Sequence, residues 1–169
     1  MRTLVLLRHL KSSWDEAGLA DHDRPLAPRG HRAGGRIRRH LEEAGIAPEL
    51  VLCSSAVRAV ETWESVRDGV PGSADVEVED GLYGASSESL LARLNGVPGA
   101  VGAVLLIAHN PGIENLALGL AGSGDAERVE RMDEKYPTGG LATLRFAAPW
   151  AELTWGGAEL VEFVVPREL

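Results

Sequence analysis

The sequence predicts an α/β fold: a three-layer sandwich with a mostly parallel central sheet, helices on both faces, and a mixed-direction edge near the C-terminus. Two observations carry this prediction. Short apolar runs bounded by charges or turn residues alternate with segments of helical periodicity through the first two thirds of the chain. The last two runs have no long helix between them. With 169 residues, the chain is expected to form a single domain over residues 1–169.

The strands are predicted from short apolar runs. Each run has a strand's length, and the third is the weakest because charged residues interrupt it. The last two are joined by a stretch in which Pro149 and Gly156-Gly157 mark turns, which indicates a hairpin-like connection. In chain order, the predicted strands span residues 4–7, 50–53, 76–78, 104–108, 141–146 and 160–165.

Four helices are predicted between these strands. The first follows Arg29-Gly30 and ends at Gly45, a suitable C-cap. The second follows Ser54-Ser55, which are good N-cap types. The third runs from about residue 87 to Gly96. The fourth is predicted to be capped by Asn110, with Pro111 at its first position, and to end near Gly122.

The segment 122–140 is polar and contains glycine, and it is interpreted as a long loop or short helix near a site.

Composition excludes several classes of protein. The 17 Lys and Arg residues against 25 Asp and Glu residues leave a formal charge of −8, so neither nucleic acid nor a membrane surface is an expected partner. A disulfide scaffold is excluded because Cys53 is the only cysteine, and it is expected to be a packed thiol. No apolar run approaches a membrane span, and the cytoplasm is the expected location. The basic stretch formed by Arg32, Arg36, Arg38 and Arg39 is interpreted as a solvated helix face.

Arginine and histidine side chains lie at or soon after the carboxyl ends of three predicted strands. Arg8-His9 ends the first strand, Arg58 lies in the first turn of the second helix, and His109 follows the fourth strand. Ligands of open parallel sheets bind beyond the carboxyl ends of the strands. Arginine forks can bind a phosphoryl group, and a neutral histidine can attack it. Nearby guanidinium groups would lower the pKa of His9, and His109 could donate a hydrogen bond as charge develops on the phosphoryl group.

These residues also carry a family resemblance. The segments Leu6-Leu7-Arg8-His9-Leu10-Lys11-Ser12-Ser13-Trp14, Asp21-His22-Asp23-Arg24-Pro25-Leu26, Arg29-Gly30, Ser54-Ser55-Ala56-Val57-Arg58 and His109-Asn110-Pro111-Gly112 resemble the histidine phosphatase superfamily, most closely its SixA-type phosphohistidine phosphatases. The resemblance extends to about residue 139. It implies that His9 is the phosphorylated nucleophile and that Arg8, Arg58 and His109 complete the phosphate pocket. It further implies that Arg24 supplies a basic contact.

Two features depart from the family pattern. Leu10 stands where a small residue is usual, so either the pocket floor or the entry to the pocket is expected to be altered. The inserted acid of the larger, mutase-like members is not apparent in so short a chain. The carboxylates near the motifs are Asp21, Asp23, Asp80 and Glu114, and the sequence does not choose among them.

Three further residues are assigned from the sequence. Lys11 either steers an anionic substrate or is an ordinary surface lysine, and Asn110 is expected to contact the substrate. Trp14 either walls the cleft or covers the core. No cofactor and no metal are expected: His22, His31 and His40 lack ligand spacing, and Arg8 would repel a cation at His9.

The leading hypothesis is a metal-independent phosphatase that acts through a covalent phosphohistidine intermediate, on phosphohistidine in a protein or on a small phosphorylated compound. One alternative is a general phosphomonoesterase or sugar-phosphate phosphatase of the same superfamily. Another is a non-catalytic, regulatory phosphate-binding module.

Overall fold

A computed structural model describes residues 1–169 and contains one seven-stranded sheet. Six of its strands match the six apolar runs to within two residues at each end, so these predictions are confirmed. The seventh, β5, is a short glycine-containing strand that the apolar pattern could not identify. The strands are β1 (Arg2–Arg8), β2 (Leu50–Ser54), β3 (Asp75–Glu79), β4 (Ala103–Ala108), β5 (Ala121–Gly124), β6 (Leu141–Phe146) and β7 (Ala158–Val164).

Five helices accompany the sheet. They are α1 (Pro28–Ala44), α2 (Val57–Val66), α3 (Ser87–Asn95), α4 (Gly112–Leu120) and α5 (Ala126–Glu134). Proline at the first position suits the start of α1, because its missing N–H has no partner there. At the other end Gly45 adopts a φ of 65°, the left-handed conformation predicted for this C-cap. The short helix in the segment 122–140 is α5. None of the helices is both long and apolar enough to cross a membrane.

Two capping predictions are wrong. The N-cap of α2 is Ala56, which has no side chain to cap with, and the Ser54 hydroxyl instead accepts the Ala56 N–H in the turn before the helix. The helix α4 begins at Gly112 with Pro111 as its N-cap. The Asn110 side chain does not cap it, because its amide donates to the Tyr136 carbonyl and to Glu114.

The strand order is β3-β2-β4-β1-β6-β7-β5. The strands β3, β2, β4 and β1 are mutually parallel, whereas β6 runs antiparallel to both β1 and β7. The mixed-direction edge near the C-terminus is therefore confirmed. Because β1, β2 and β4 are parallel neighbours, their carboxyl ends meet at one edge of the sheet.

Alternation along the central strand divides the core between the two faces of the sheet. On one face, Leu4 and Leu6 of β1 belong to an apolar cluster that includes residues of α3 and α4. On the other face, Val5 and Leu7 belong to a second cluster that includes residues of α1 and α2. Successive side chains of a strand point to opposite faces, so helices cover both faces and the three-layer prediction is confirmed.

Candidate active site

The structure brings Arg8, His9, Arg58 and His109 to the same edge of the sheet. Arg8 and His9 stand at the end of β1, His109 follows β4, and Arg58 lies in the first turn of α2. The His9 and His109 rings are 5.0 Å apart between centroids. All but Arg8 are at most 7% exposed, and all four line a cavity of about 340 Å³.

His9 is held with one ring nitrogen engaged. Its Nδ1 lies 2.8 Å from the Leu10 carbonyl oxygen. A carbonyl only accepts, so Nδ1 carries the hydrogen and Nε2 keeps its lone pair. Burial, followed by the charges of His109, Arg58 and Arg8, lowers the pKa of His9 to about 3, although the Leu10 hydrogen bond acts in the opposite direction. The neutral, nucleophilic form is therefore present at neutral pH, with burial a larger cause than the arginines on which the sequence argument relied.

His109 is oriented by Ser54. The Ser54 hydroxyl accepts the Ala56 N–H, and its oxygen lies 2.7 Å from Nε2 of His109. When the Ser54 hydroxyl donates to Nε2, the proton of His109 lies on Nδ1. That Nδ1 is buried without a partner. Burial and the Arg58 charge lower the pKa of His109 to about 4, so the ring is neutral at neutral pH.

Asp21 ties two arginines together. Its Oδ1 accepts from Arg24 Nη1 at 2.9 Å, and its Oδ2 accepts from Arg58 Nη2 at 3.0 Å. Its backbone carbonyl accepts a further bond from Arg58, and the Tyr83 hydroxyl donates to Oδ2. These hydrogen bonds, led by that from Tyr83, hold the pKa of Asp21 far below its usual range. Asp21 is thus a fixed anion that orients both guanidinium groups.

Arg8 completes the positively charged wall. Its Nη1 donates to the Tyr136 carbonyl at 3.0 Å, while its Nε is buried without a partner. A buried donor without an acceptor costs about 1–3 kcal/mol. Arg8 Nε and His109 Nδ1 are two buried nitrogens without partners on residues that line one cavity.

The other cavity residues assigned from the sequence are Arg24, Lys11, Asn110 and Trp14. Arg24 is buried, and its guanidinium carbon lies 3.2 Å from the centroid of the Trp14 ring. The Trp14 side chain is 72% exposed, so it walls the cleft and does not cover the core. Asn110 has one buried oxygen, Oδ1, without a partner.

Leu10 does not form the floor of the pocket, so the first of the two expected changes is wrong. Its side chain is fully buried in the core cluster beneath α1 and does not line the cavity. Two glycines make room for it: a β-carbon on Gly34 would lie 3.0 Å from one methyl of Leu10, and one on Gly139 would lie 3.1 Å from the other. Gly139 also adopts a φ of 75° and donates its N–H to the carbonyls of Arg8 and His9.

Only one of the four candidate carboxylates reaches the cavity. Asp21 lines it, whereas Asp23, Asp80 and Glu114 do not. The carboxylate that does reach the cavity is held ionised by its partners, so it is unsuited to donate a proton.

Several site residues were not identified from the sequence. The sequence assigns Ser54 and Ser55 to a helix cap and to a family motif but gives them no role in the site, yet Ser54 orients His109 and Ser55 contacts His22. Tyr83 and Tyr136 lie outside every motif and act on the site through Asp21 and Arg8. A hydroxyl directly after a buried strand was the available signal for Ser54, whereas no local pattern marks the tyrosines.

No group of three or more His, Cys, Asp or Glu side chains forms a constellation that could hold a metal ion. Cys53 is buried in β2 as predicted, and burial raises the pKa of its thiol to about 12. His40 contacts Glu162 at 3.1 Å, away from the cavity.

Comparison with known proteins gives the same assignment. A model of the histidine phosphatase superfamily (branch 1) matches residues 4–86, which include Arg8, His9, Arg24 and Arg58. A solved structure from Nakamurella multipartitia, assigned as the phosphohistidine phosphatase SixA, is 32% identical over 98% of this chain and 96% of that chain, with a TM-score of 0.85. The chain belongs to the histidine phosphatase superfamily. This membership confirms the predicted family and the predicted phosphatase activity through a histidine phosphoryl intermediate.

Two further relatives match nearly the whole length of this histidine phosphatase. A structure from Agrobacterium tumefaciens with the same SixA assignment is 27% identical, covers 98% of both chains and has a TM-score of 0.83. An uncharacterized protein of Mycobacterium tuberculosis H37Rv is 43% identical over 167 residues, which are 95% of this chain and 100% of that protein. These matches include the β4 end and His109, which the family model does not reach.

Proposed function

We propose that residues 1–169 form a single histidine phosphatase domain that removes the phosphoryl group from phosphohistidine, without a metal ion or cofactor. His9 is the nucleophile, Arg8, Arg58 and His109 bind the phosphoryl group, and Arg24, Lys11 and Asn110 contact the substrate. The observation that carries this choice of substrate is the state of Asp21. It is the one carboxylate of the cavity, and its partners keep it ionised.

The leaving group decides whether an acid is needed. An alkyl phosphate expels an alkoxide, which requires a proton donor at the bridging oxygen. Phosphohistidine with a protonated distal nitrogen expels a neutral imidazole, so the bridging nitrogen needs no proton. A pocket whose carboxylate cannot donate therefore favours phosphohistidine over an alcohol ester. The two solved structures assigned as phosphohistidine phosphatases support the same choice.

The first step moves the phosphoryl group between two imidazoles. His9 Nε2 forms a bond to phosphorus while the bond from phosphorus to the substrate's nitrogen breaks, and no proton moves. Arg8 and Arg58 neutralise the equatorial oxygens, and Nδ1–H of His109 donates to one of them. Their positive charge supplies what a metal ion would otherwise provide.

The second step is hydrolysis of the intermediate. Water forms a bond to phosphorus, and the bond from phosphorus to Nε2 breaks with its electron pair returning to His9. The proton released by water leaves to solvent, and inorganic phosphate departs. Since the pKa of His9 is about 3, the ring is regenerated neutral and ready for another turnover.

Turnover of a phosphohistidine peptide and a chromogenic phosphate ester in EDTA tests this proposal. We expect activity to persist in EDTA and kcat/KM to be about tenfold or more higher for the peptide, because its leaving group needs no acid. His9→Ala should reduce kcat by about 1,000-fold or more. His31→Ala is the matched control, because it removes an exposed histidine of α1 that is remote from the cavity.

Each alternative has its own signature in this experiment. Loss of activity in EDTA would refute the metal-free mechanism, and unchanged activity in His9→Ala would remove His9 from the chemistry. A preference for the ester would indicate a general phosphomonoesterase. Binding without turnover of either substrate would indicate a regulatory phosphate-binding module. A cytoplasmic location stays a prediction from the sequence.

A further inference from the structure

A second cavity adjoins the catalytic one. It has a volume of about 400 Å³ and shares Lys11 and Thr138 with the catalytic cavity. Its other walls come from α1, from the end of α5 and the loop after it, and from β7 and the residues that follow it. A group bound in this second cavity, hereafter the basic cavity, would lie next to a phosphoryl group at His9.

The charge of the basic cavity is opposite to that of the protein. Six of the seventeen basic side chains line it, together with only two carboxylates, in a chain whose formal charge is −8. The carboxylates are Glu134 and Glu168. The basic residues are Lys11, Arg29, Arg36, Arg131, Lys135 and Arg167.

Most of these cations have no partner within the protein. Arg131 forms a salt bridge with Glu168, and Arg36 donates one long bond, of 3.4 Å, to the Pro166 carbonyl. The other four side chains form neither an ion pair nor a hydrogen bond. Crowded like charges repel one another, and an anion bound among them relieves that repulsion.

The inner wall of the basic cavity is apolar. Phe163 and Val165 are at most 5% exposed, and both line it. Walls of low dielectric strengthen the field of the surrounding cations in the cavity. An anionic group there is attracted more strongly than at a flat surface with the same charges.

From this arrangement we propose that the basic cavity is a second anion subsite that holds an acidic group on the leaving-group side of the substrate. The preferred substrate would thus carry its phosphoryl group together with a carboxylate or second phosphate a short distance away. This inference rests on the proposed function, because it assigns the catalytic phosphoryl position to His9. The acidic group has two sources: acidic side chains beside a phosphohistidine, or a second anionic group on a small compound.

Paired substrates test the subsite and distinguish these sources. One pair is two phosphohistidine peptides of equal length, with either Asp and Glu or Asn and Gln flanking the histidine. The other pair is phenyl phosphate and 4-carboxyphenyl phosphate. We expect kcat/KM to be about tenfold higher for the acidic member of at least one pair, mainly through KM.

Charge-matched variants locate the effect. The double variant Arg29→Gln with Lys135→Gln should reduce the acidic preference to about twofold or less. The control is Arg32→Gln with Arg39→Gln, which removes two exposed positive charges from α1 outside the basic cavity. The control should retain the preference.

The outcomes separate failure of the subsite from failure of the proposed function. Turnover of both members of each pair at equal kcat/KM overturns the subsite and leaves the phosphatase intact. An equal loss of preference in both double variants also overturns it. If no substrate is turned over, the proposed function fails. Calorimetric binding of the unphosphorylated acidic and neutral peptides to the same variants then decides the subsite: equal affinities overturn it, and an acidic preference lost only with Arg29 and Lys135 supports it.

Discussion

The catalytic cavity and the basic cavity are adjacent and both positively charged, but they hold their cations in different ways. In the catalytic cavity Arg24 and Arg58 are buried and bound to Asp21, and Arg8 is bound to the Tyr136 carbonyl. In the basic cavity four of six cations are unpaired. Bound guanidinium groups keep a fixed orientation, which phosphoryl transfer requires, whereas free ones supply attraction without fixed geometry. We therefore expect activity to depend on the orientation of the arginines in the catalytic cavity, but only on the positive charge in the basic cavity.

Among the tests that compare the two cavities, exchanging arginine for lysine has the largest expected effect. Arg58→Lys keeps the charge but cannot span both the Asp21 carbonyl and its carboxylate, so kcat/KM should fall by about 100-fold or more. Arg29→Lys should lower kcat/KM for an acidic substrate far less, because its charge is retained. Steady-state kinetics with thermal melts as a folding control measure both. Equal losses of kcat/KM in the two variants would contradict this difference between the cavities.

A second test compares the stability contributed by a core residue near the catalytic cavity with that of a side chain at the rim of the basic cavity. Leu10→Ala leaves a void in the core cluster beneath α1 and should lower the free energy of unfolding by about 2–5 kcal/mol. Activity below the melting temperature should persist, since the Leu10 side chain does not line the catalytic cavity. Arg167→Gln, at the exposed rim of the basic cavity, should change the unfolding free energy by about 0.5 kcal/mol or less. Denaturant titration compares the two, and an inactive but folded Leu10→Ala would contradict this account.

The dependence on pH should report the buried histidines. Their pKa values of about 3 and about 4 keep His9 and His109 neutral from pH 8 to pH 5, so phosphoenzyme formation should change there only with the substrate's own ionisation. Below about pH 4 it should fall as the rings take up protons. Stability should decline as the pH falls below about 6.5, because unfolded histidines then bind protons that the folded ones do not. Rapid-quench rates and melting curves test this, and a substrate-independent midpoint near pH 6.5 would refute it.

A substitution at Asp21 tests whether the orientation of Arg24 and Arg58 matters, because it leaves both arginines in place. Asp21→Asn removes the anion that holds Arg24 and Arg58, and kcat should fall by about tenfold as the guanidinium groups lose their fixed positions. Because the variant loses a negative charge at the cavity, the inhibition constant of inorganic phosphate should not rise. A variant that loses phosphate binding while keeping kcat would show that Asp21 acts on affinity and not on geometry.

The smallest expected effect is that of ionic strength. Raising NaCl from about 0.05 to 0.5 M shortens the range of the field around the basic cavity. For an acidic substrate kcat/KM should fall by about threefold to tenfold, and for its neutral counterpart by about twofold or less. The buried, paired arginines of the catalytic cavity are screened less. Identical salt dependence for the two substrates would remove the distinction between the cavities.

Sequence patterns predicted most of the fold because β1, β2 and β4 are buried on both faces and therefore appear as unbroken apolar runs. The edge strand β5 escaped prediction, since Ala121–Gly124 contains only small residues and owes its pairing to β7. The helix caps were misassigned because the side chains of Ser54 and Asn110 are engaged by the site. Local preference was overridden there by contacts between distant segments.

The four residues Arg8, His9, Arg58 and His109 were found from the sequence because each stands at or just after a strand end or in a helix's first turn. Parallel strands bring such positions together by topology alone. Lys11 was identified, but its partners in the basic cavity were not. Arg29, Lys135 and Arg167 come from three segments far apart in the chain, and no local pattern relates them.

The alternation of strands and helices, the family and the residue types at the strand ends are predictable from the amino-acid sequence, because they depend on short-range order and apolar periodicity. Tertiary contacts were needed to show which nitrogen of His9 is free, that Asp21 is a fixed anion and not an acid, and that Leu10 points into the core. They were also needed to show that scattered cations of an acidic protein gather beside the catalytic cavity. Burial, hydrogen-bond partners and electrostatic fields depend on contacts between residues distant in the chain, and these form only when the sheet and its helices assemble.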